Sequence, residues 1–419
     1  MAYYYSVSTY NKKFLLTLLA CLGIPMSACA NNHEDSNAIH SPSHPINVII
    51  EPYLNQPTNI KKLFKTKKAK QLKQMRIMHI DLDYIFDSDQ QQQQSNIQAL
   101  IQRIQQIQPN TIFLQAFADP DANGSANLVY FENRHIPMRA NLFPELLKQI
   151  RQHTQVKQIY AWLPLIAWEL PKSYQLQYVK HSQDKTHGYI RLSPFDPTNL
   201  KYIAEIFQDF IQKNAVDGVL YHDDITLNDF EDASVVARQV YQQWGYDLKL
   251  LEEPQHPQQS AFAAAKTAYL DQLAAGITRL LQHYRPQLLT ARNTYAPIVL
   301  QPESEKWFSQ SVSSTLRYYN YNAIMAMPYM EQAGDHHQFY LDLIQQSKKY
   351  DPDLDRTIFE LQATDWRSNQ KIATSELVQT IHFLQQHGVK HIGYYPDDFA
   401  QAHPAAVEIK SVFQVDHSR

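Results

Sequence analysis

Val216-Asp217-Gly218-Val219-Leu220-Tyr221-His222-Asp223-Asp224 is a short apolar run that stops abruptly in two adjacent carboxylates. Leaving an unpaired carboxylate beside a core costs several kcal/mol or forces it to take up a proton. Such a pair is therefore usually kept for chemistry or for a cation. The same pattern recurs along the chain, with Asp81/Asp83, Glu360/Asp365 and Asp397/Asp398 at the ends of other strand-like runs.

Outward from this stretch, eight strand-like runs can be counted: 76–82, 111–117, 158–163, 218–221, 288–292, 323–327, 357–361 and 391–395. Helical patterns lie between them at 96–107, 142–152, 200–213, 261–284, 338–349 and 375–386, with apolar residues spaced three and four apart. Ile97, Leu100, Ile101, Ile104 and Ile107 form one such stripe, with Gln and Arg on the outer face. Strands alternating with helices predict a parallel sheet, and eight of them predict a closed (β/α)8 barrel of the TIM type. An open doubly wound sheet is the alternative. The domain is expected over residues 75–415, with long βα loops at 119–138, 168–194 and 228–259.

Ahead of the barrel, Lys12-Lys13 precede the apolar run Phe14 to Ala20, too brief to span a bilayer. Residues 1–29 read as a signal peptide. Met26-Ser27-Ala28-Cys29 resembles a lipobox whose cysteine would be acylated, with Met26 departing from the usual aliphatic residue. Ordinary cleavage after Ala28-Cys29-Ala30 competes with it. Residues 30–74 are polar, with one apolar island at Ile46-Ile50 and a basic run from Lys61 to Lys73, and are expected to form a tether. Gln90 to Gln94 reads as an exposed loop leading into a helix. Cys21 and Cys29 are the only cysteines, so a mature chain has no internal disulfide to lean on.

The net charge of −3 gives no reason to expect nucleic acid as a partner. With only 9 Gly, and neither GxGxxG nor GxxxxGK[ST], a phosphate-cradling loop is not expected. Twenty-six Tyr and 5 Trp suit a packed core or a sugar-stacking groove. In a barrel of this kind the strand C-terminal ends share one face, and that face carries the site. Read in order, those ends supply Asp81, Asp83 and Tyr84, then His222, Asp223 and Asp224, then Arg292 and Asn293, then Tyr329 and Glu331, then Glu360 and Trp366. An acidic, aromatic mouth of this composition suits cleavage of an amino-sugar polymer. Glycoside hydrolysis needs a carboxylic acid to protonate the leaving oxygen, and a base, nucleophile or substrate group besides.

Neighbouring strand residues point to opposite faces, so Asp223 is taken as the catalytic carboxylate and Asp224 as its partner, a substrate ligand or a structural group. Asp81 and Asp83 share a side, where they can bind a cationic sugar, raise the pKa of Asp223, or cap a turn. Trp307, Trp366, Tyr189 and Tyr329 are candidates to pack on sugar rings. Arg292 and Asn293 would hydrogen-bond hydroxyls or orient a carboxylate, with a buried salt bridge as the alternative. His79-x-Asp81 raises a metal site only weakly, and neither metal nor cofactor is expected.

At these residues the chain resembles the C-terminal hydrolase domain of the PgaB family of poly-β-1,6-N-acetyl-D-glucosamine deacetylase/hydrolases. The matching stretches are Met78-His79-Ile80-Asp81-Leu82-Asp83-Tyr84, Leu114 to Asp121, Leu192-Ser193-Pro194-Phe195-Asp196-Pro197, Asp217 to Asp224, Ala291-Arg292-Asn293 and Met325 to Glu331. The resemblance implies a (β/α)8 barrel that endo-cleaves partially deacetylated poly-N-acetylglucosamine, a biofilm exopolysaccharide. It implies a catalytic Asp within the Asp223–Asp224 pair and sugar-binding aromatics at Tyr189, Trp307 and Trp366. It also implies a periplasmic location, outer-membrane anchoring through a lipidated Cys29, and work beside outer-membrane export machinery. The full-length family has an N-terminal metal-dependent deacetylase domain, whereas about 45 residues separate leader from barrel here, too few for it. A hydrolase half without deacetylation is therefore expected. The rival functions are a non-catalytic module that guides polymer to an exporter and a metal-dependent deacetylase.

Overall fold

The eight apolar runs close into a barrel in this computed structural model, which describes residues 44–56, 71–121, 123–185 and 189–414. We number the barrel strands β1 (Arg76–Ile80), β2 (Thr111–Gln115), β3 (Gln158–Leu163), β4 (Gly218–Tyr221), β5 (Leu289–Tyr295), β6 (Tyr321–Met325), β7 (Thr357–Gln362) and β8 (His391–Tyr395). Each pairs in parallel with its sequence neighbours, and β8 closes on β1 with Ile77 opposite Gly393. The strands are buried almost throughout because the helices cover their outer face and side chains fill the interior, leaving no wet surface. Main helices follow each strand in turn: Gln90–Ile107, Leu142–His153, Pro197–Lys213, Gln259–Tyr284, Val312–Tyr318, His336–Ser347, Thr374–Gln386 and Ala406–Phe413.

Among the differences from the sequence reading, three bear on the core or the site. Gln90 to Gln94 is not a loop but the first turn of a helix, because Asp89 caps it by accepting from Gln91 N at 2.8 Å. β5 runs on to Tyr295 rather than stopping at Arg292. Within the expected tether, Ile46–Leu54 forms a helix that packs on Gln259–Tyr284 and Pro197–Lys213. It sits so close that a Cβ on Gly276 would lie 2.5 Å from the Ile46 side chain. Ile46 and Ile50 are fully buried there, each contributing about 1.5–3 kcal/mol. A Gly276→Leu change would push this helix off.

The topmost interior layer positions the site. It draws on alternate strands, as in other eight-stranded barrels, with His79 from β1, Trp162 from β3, Asn293 from β5 and Glu360 from β7. Glu360 touches His79 Nδ1 and accepts from Asn293 Nδ2 at 2.7 Å. The Trp162 ring stands edge-on to His79, with centroids 4.5 Å apart. This layer is polar where an aliphatic one would serve stability better.

Candidate active site

β4 delivers its two carboxylates to opposite fates. Asp224 is fully buried and turns back under the barrel mouth. There it accepts the backbone N–H groups of Leu165 at 3.0 Å, Ile166 at 2.6 Å and Ala167 at 2.7 Å. It fixes the loop after β3 and has no free edge for a substrate, so the structural alternative holds for it. Asp223 is 8% exposed. Its Oδ2 accepts from Tyr295 Oη at 2.6 Å and Tyr189 Oη at 2.9 Å, and its Oδ1 lies 3.0 Å from His222 Nδ1. Among the described residues no lysine or arginine pairs with it.

His222 sits between aromatic rings and acids. Burial works against its charge, but Asp223, Asp224 and Asp119 outweigh that and raise its proton affinity above the ordinary value. A row of rings crosses the mouth from it. The centroid of Tyr189 lies 5.3 Å from that of His222, Trp162 lies 4.9 Å on the other side, and Tyr395 lies 5.5 Å beyond. Trp366 follows, 5.4 Å from Tyr395. Apolar ring faces between carboxylates are what a sugar with polar edges and C–H faces requires.

Asp81 lies at the Tyr395 end of this row. One oxygen caps the turn Leu82–Tyr84 by accepting Asp83 N at 2.9 Å, and the other faces Tyr395 Oη at 3.3 Å. Burial, then the charge of Asp83, pushes its carboxyl up to about 7. Asp83 itself is spoken for, held by Arg139 Nη1 at 2.7 Å and Tyr130 Oη at 2.5 Å. Tyr84 is 40% exposed beside these acids.

The remaining candidates divide. Arg292 is fully buried, donating to Asp271 at 2.6 Å and to the Ile225 carbonyl at 2.8 Å, so it is a core ion pair and not a sugar ligand. Asn293 and Glu360 belong to the interior layer. Tyr329 donates to Glu376 at 2.7 Å on the β6–β7 side, and the half-buried Glu331 nearby in sequence is pushed up to about 7 by burial. Trp307 is 41% exposed with Lys306 over its ring. Cys29 lies outside the described residues. Among the described residues no three His, Cys, Asp or Glu side chains form a metal-holding group, and His79 faces Glu360 instead.

Tyr295 escaped the sequence reading. Tyr295 stands two residues after Asn293 on the same strand, so the period of two was the available signal.

This geometry has relatives. The profile of hypothetical glycosyl hydrolase family 13 matches residues 79–395. The chain belongs to that family, GHL13. A PgaB (BpsB) glycoside hydrolase domain from Bordetella bronchiseptica is 38% identical, with a TM-score of 0.78 over 82% of this chain and 99% of that one. A poly-β-1,6-N-acetyl-D-glucosamine N-deacetylase of Escherichia coli K12 is 40% identical over 350 residues, 81% of this chain and 52% of the relative. This GHL13 chain thus spans about half the length of the curated relatives it matches. A β-galactosidase from Rahnella sp. R3, 11% identical with a TM-score of 0.56 over 84% of this chain and 57% of that one, shares the fold alone. The barrel is a glycoside hydrolase domain.

Proposed function

We propose that this chain is an endo-acting hydrolase of partly deacetylated poly-β-1,6-N-acetyl-D-glucosamine, with Asp223 as its catalytic carboxylate. The observation that carries the reading is Asp223 itself, a strand-end carboxylate held by two phenol hydroxyls and the His222 imidazole, with no lysine or arginine partner among the described residues. Structural acids of this fold take arginines or backbone amides, whereas Asp223 takes only partners that orient it. The ring row from Tyr189 to Trp366 supplies the sugar-packing surface. Asp81 lacks a lysine or arginine partner among the described residues, so a glucosamine ammonium arriving there would compensate a buried carboxylate. The Escherichia coli relative is named as a poly-β-1,6-N-acetyl-D-glucosamine N-deacetylase, which fits that chemistry.

Digestion of partly deacetylated polymer, followed by mass spectrometry of the products, tests the proposal. Wild type should release short oligomers and Asp223→Asn should not, while both still bind polymer. Equal release by the two chains would remove Asp223 from the chemistry, and no release by either would favour a binding module. Fully acetylated polymer should be cut more slowly than partly deacetylated polymer. We also propose a periplasmic chain anchored at the outer membrane through acylated Cys29, working beside the export machinery. Cys29→Ala should then move the protein from the membrane to the soluble fraction.

A further inference from the structure

We propose that His222 is the proton relay of Asp223, carrying protons between that carboxylate and the water of the barrel mouth. This role rests on Asp223 being the catalytic carboxylate and gives its chemistry a second residue. Glycoside hydrolysis uses a further group beside the acid, and the carboxylates close to Asp223 in sequence or at the mouth are committed elsewhere. Asp224 is closed by three backbone amides, and Asp83 by Arg139 and Tyr130. His222 is within reach, with Nδ1 at 3.0 Å from Asp223 Oδ1.

The ring is placed to work with its proton on or off. With a proton on Nδ1 it donates to Asp223 Oδ1. With Nδ1 bare it accepts the backbone N–H of Asp224 at 3.3 Å. One ring pose therefore serves both states. His391, a structural histidine, is served in one state only. Its Nδ1 accepts Met75 N at 3.1 Å, its Nε2 meets the Asp355 carbonyl at 2.9 Å, and burial lowers it to about 4. At His222 burial also opposes the charge, but the surrounding acids prevail and raise its proton affinity.

The other end of the ring is open. Nε2 of His44 and Nε2 of His79 are sealed inside the protein without a hydrogen-bond partner. Nε2 of His222 also has no partner among the described residues, yet it is not sealed, and the residue keeps 7% of its surface. Trp162 and Phe117 wall the ring, with centroids 4.9 and 5.5 Å away. The titratable groups facing it are Asp223 and Asp224 on its own loop, Asp119 from the loop after β2 and the Tyr189 phenol from the loop after β3. The Tyr295 phenol of β5 reaches it through Asp223. Asp119 gives its two oxygens to the amides of Asn123 and Gly124, so the ring is the group here that can pass a proton on.

The proton count closes. Asp223 protonates the bridging oxygen as the glycosidic C–O bond breaks, and the carboxylate left behind takes the Nδ1 proton of the imidazolium. Water adds to the anomeric carbon and releases one proton, which the neutral imidazole takes up at Nε2. One C–O bond is lost, one is made, and the enzyme returns to its starting charge.

The test is product release from partly deacetylated polymer between about pH 5 and 9 by wild type, His222→Asn and His222→Ala, with Tm measured for each chain. An Asn amide stands where Nδ1 stands, so it keeps a bond to Asp223 but neither titrates nor reaches the mouth. His222→Asn should melt like wild type and lose about a hundredfold in kcat, the scale of general acid–base catalysis, with KM little changed. Wild-type kcat should fall as pH rises through loss of the imidazolium, above the ordinary 6.5, and that limb should vanish in both variants. Free imidazole should restore part of the rate of His222→Ala, most where the added imidazole is cationic. If the Asn chain melts early, rescue of the Ala chain decides. Wild-type kcat in His222→Asn, a pH limb that survives both substitutions, or no rescue of a folded Ala chain would overturn the relay. With an active wild type those results leave the hydrolase reading standing, whereas a wild type that cuts no polymer at any pH removes both.

Discussion

Two places on the barrel mouth look alike in sequence and differ in what surrounds them. Asp223 lies two residues past Tyr221 at the end of β4, and Asp397 lies two residues past Tyr395 at the end of β8. Both are buried and both accept a tyrosine hydroxyl. Asp397 is also gripped by Arg103, whose Nε and Nη2 donate to its two oxygens at 2.7 and 2.8 Å. That bidentate pair, fully desolvated, staples the helix Gln90–Ile107 to the barrel end. Asp223 has two phenols and the titratable imidazole of His222 in place of a permanent cation. A carboxylate kept this way is a cost to folding that only a ligand or a reaction explains.

The sharpest way to break the comparison is to make the same change at both places. Asp223→Asn should cut depolymerisation by about a thousandfold or more, the scale of losing an essential acid or base, with little change in Tm. Asp397→Asn should do the reverse. It leaves Arg103 buried without its counter-ion and should cost about 3–5 kcal/mol of stability, with activity per folded molecule close to wild type. Thermal melts beside product-release rates separate the two. Matched losses of stability in both variants would mean that Asp223 is a structural acid after all.

Asp224 sharpens the contrast within a single strand end. Replacing it with Ala strips the acceptor from three backbone N–H groups, and bonds to a charged group are worth about 1.5–3 kcal/mol each before relaxation. A loss of about 3 kcal/mol is expected in denaturant unfolding, together with reduced activity, because the Leu165–Ala167 loop it holds leads to the chain that carries Tyr189.

The fold was legible because eight apolar runs and their helical partners are local patterns, and each needs only its own residues to be recognised. The pairing of acids was not local. Arg103 reaches Asp397 across 294 positions, and the amides that claim Asp224 lie 57 to 59 positions away. Sequence could mark Asp223 and Asp224 as unusual, yet it took the returning loop to show which one was free. Arg292 was read as a possible sugar ligand for the same reason, since its partner Asp271 lies on the helix Gln259–Tyr284. Tyr295 was lost to an error of three residues at the end of β5.

Tyr295 and Tyr189 allow a finer cut. Both donate to the same oxygen of Asp223, but Tyr295 is fixed on a strand whereas Tyr189 rides on a loop. Tyr295→Phe should lower kcat/KM about tenfold, the loss of one short hydrogen bond to a charged group, with KM little changed. Tyr189→Phe should cost less in kcat and more in KM if its ring also packs on sugar. Identical profiles for the two variants would show that the strand and loop positions are equivalent.

The smallest effect is expected at Asp81, a carboxylate with neither the arginine of Asp397 nor the paired hydroxyls of Asp223. Burial and Asp83 raise it from 3.8 to about 7 in the folded chain. The folded state therefore binds this proton more tightly than the unfolded state across that interval. Stability contributed by protonated Asp81 is present at low pH, falls as pH rises through the window, and is level above about 7. Asp81→Asn removes the titration, so its Tm should match wild type near pH 4 and exceed it by a few degrees at pH 7.5. The same variant should lose part of its preference for partly deacetylated polymer. A Tm difference that stays constant from pH 4 to 7.5 would show that Asp81 keeps its ordinary acidity, which would make it a solvated acid of the rim and leave Asp223 as the one buried carboxylate of the mouth held without an arginine or backbone amides.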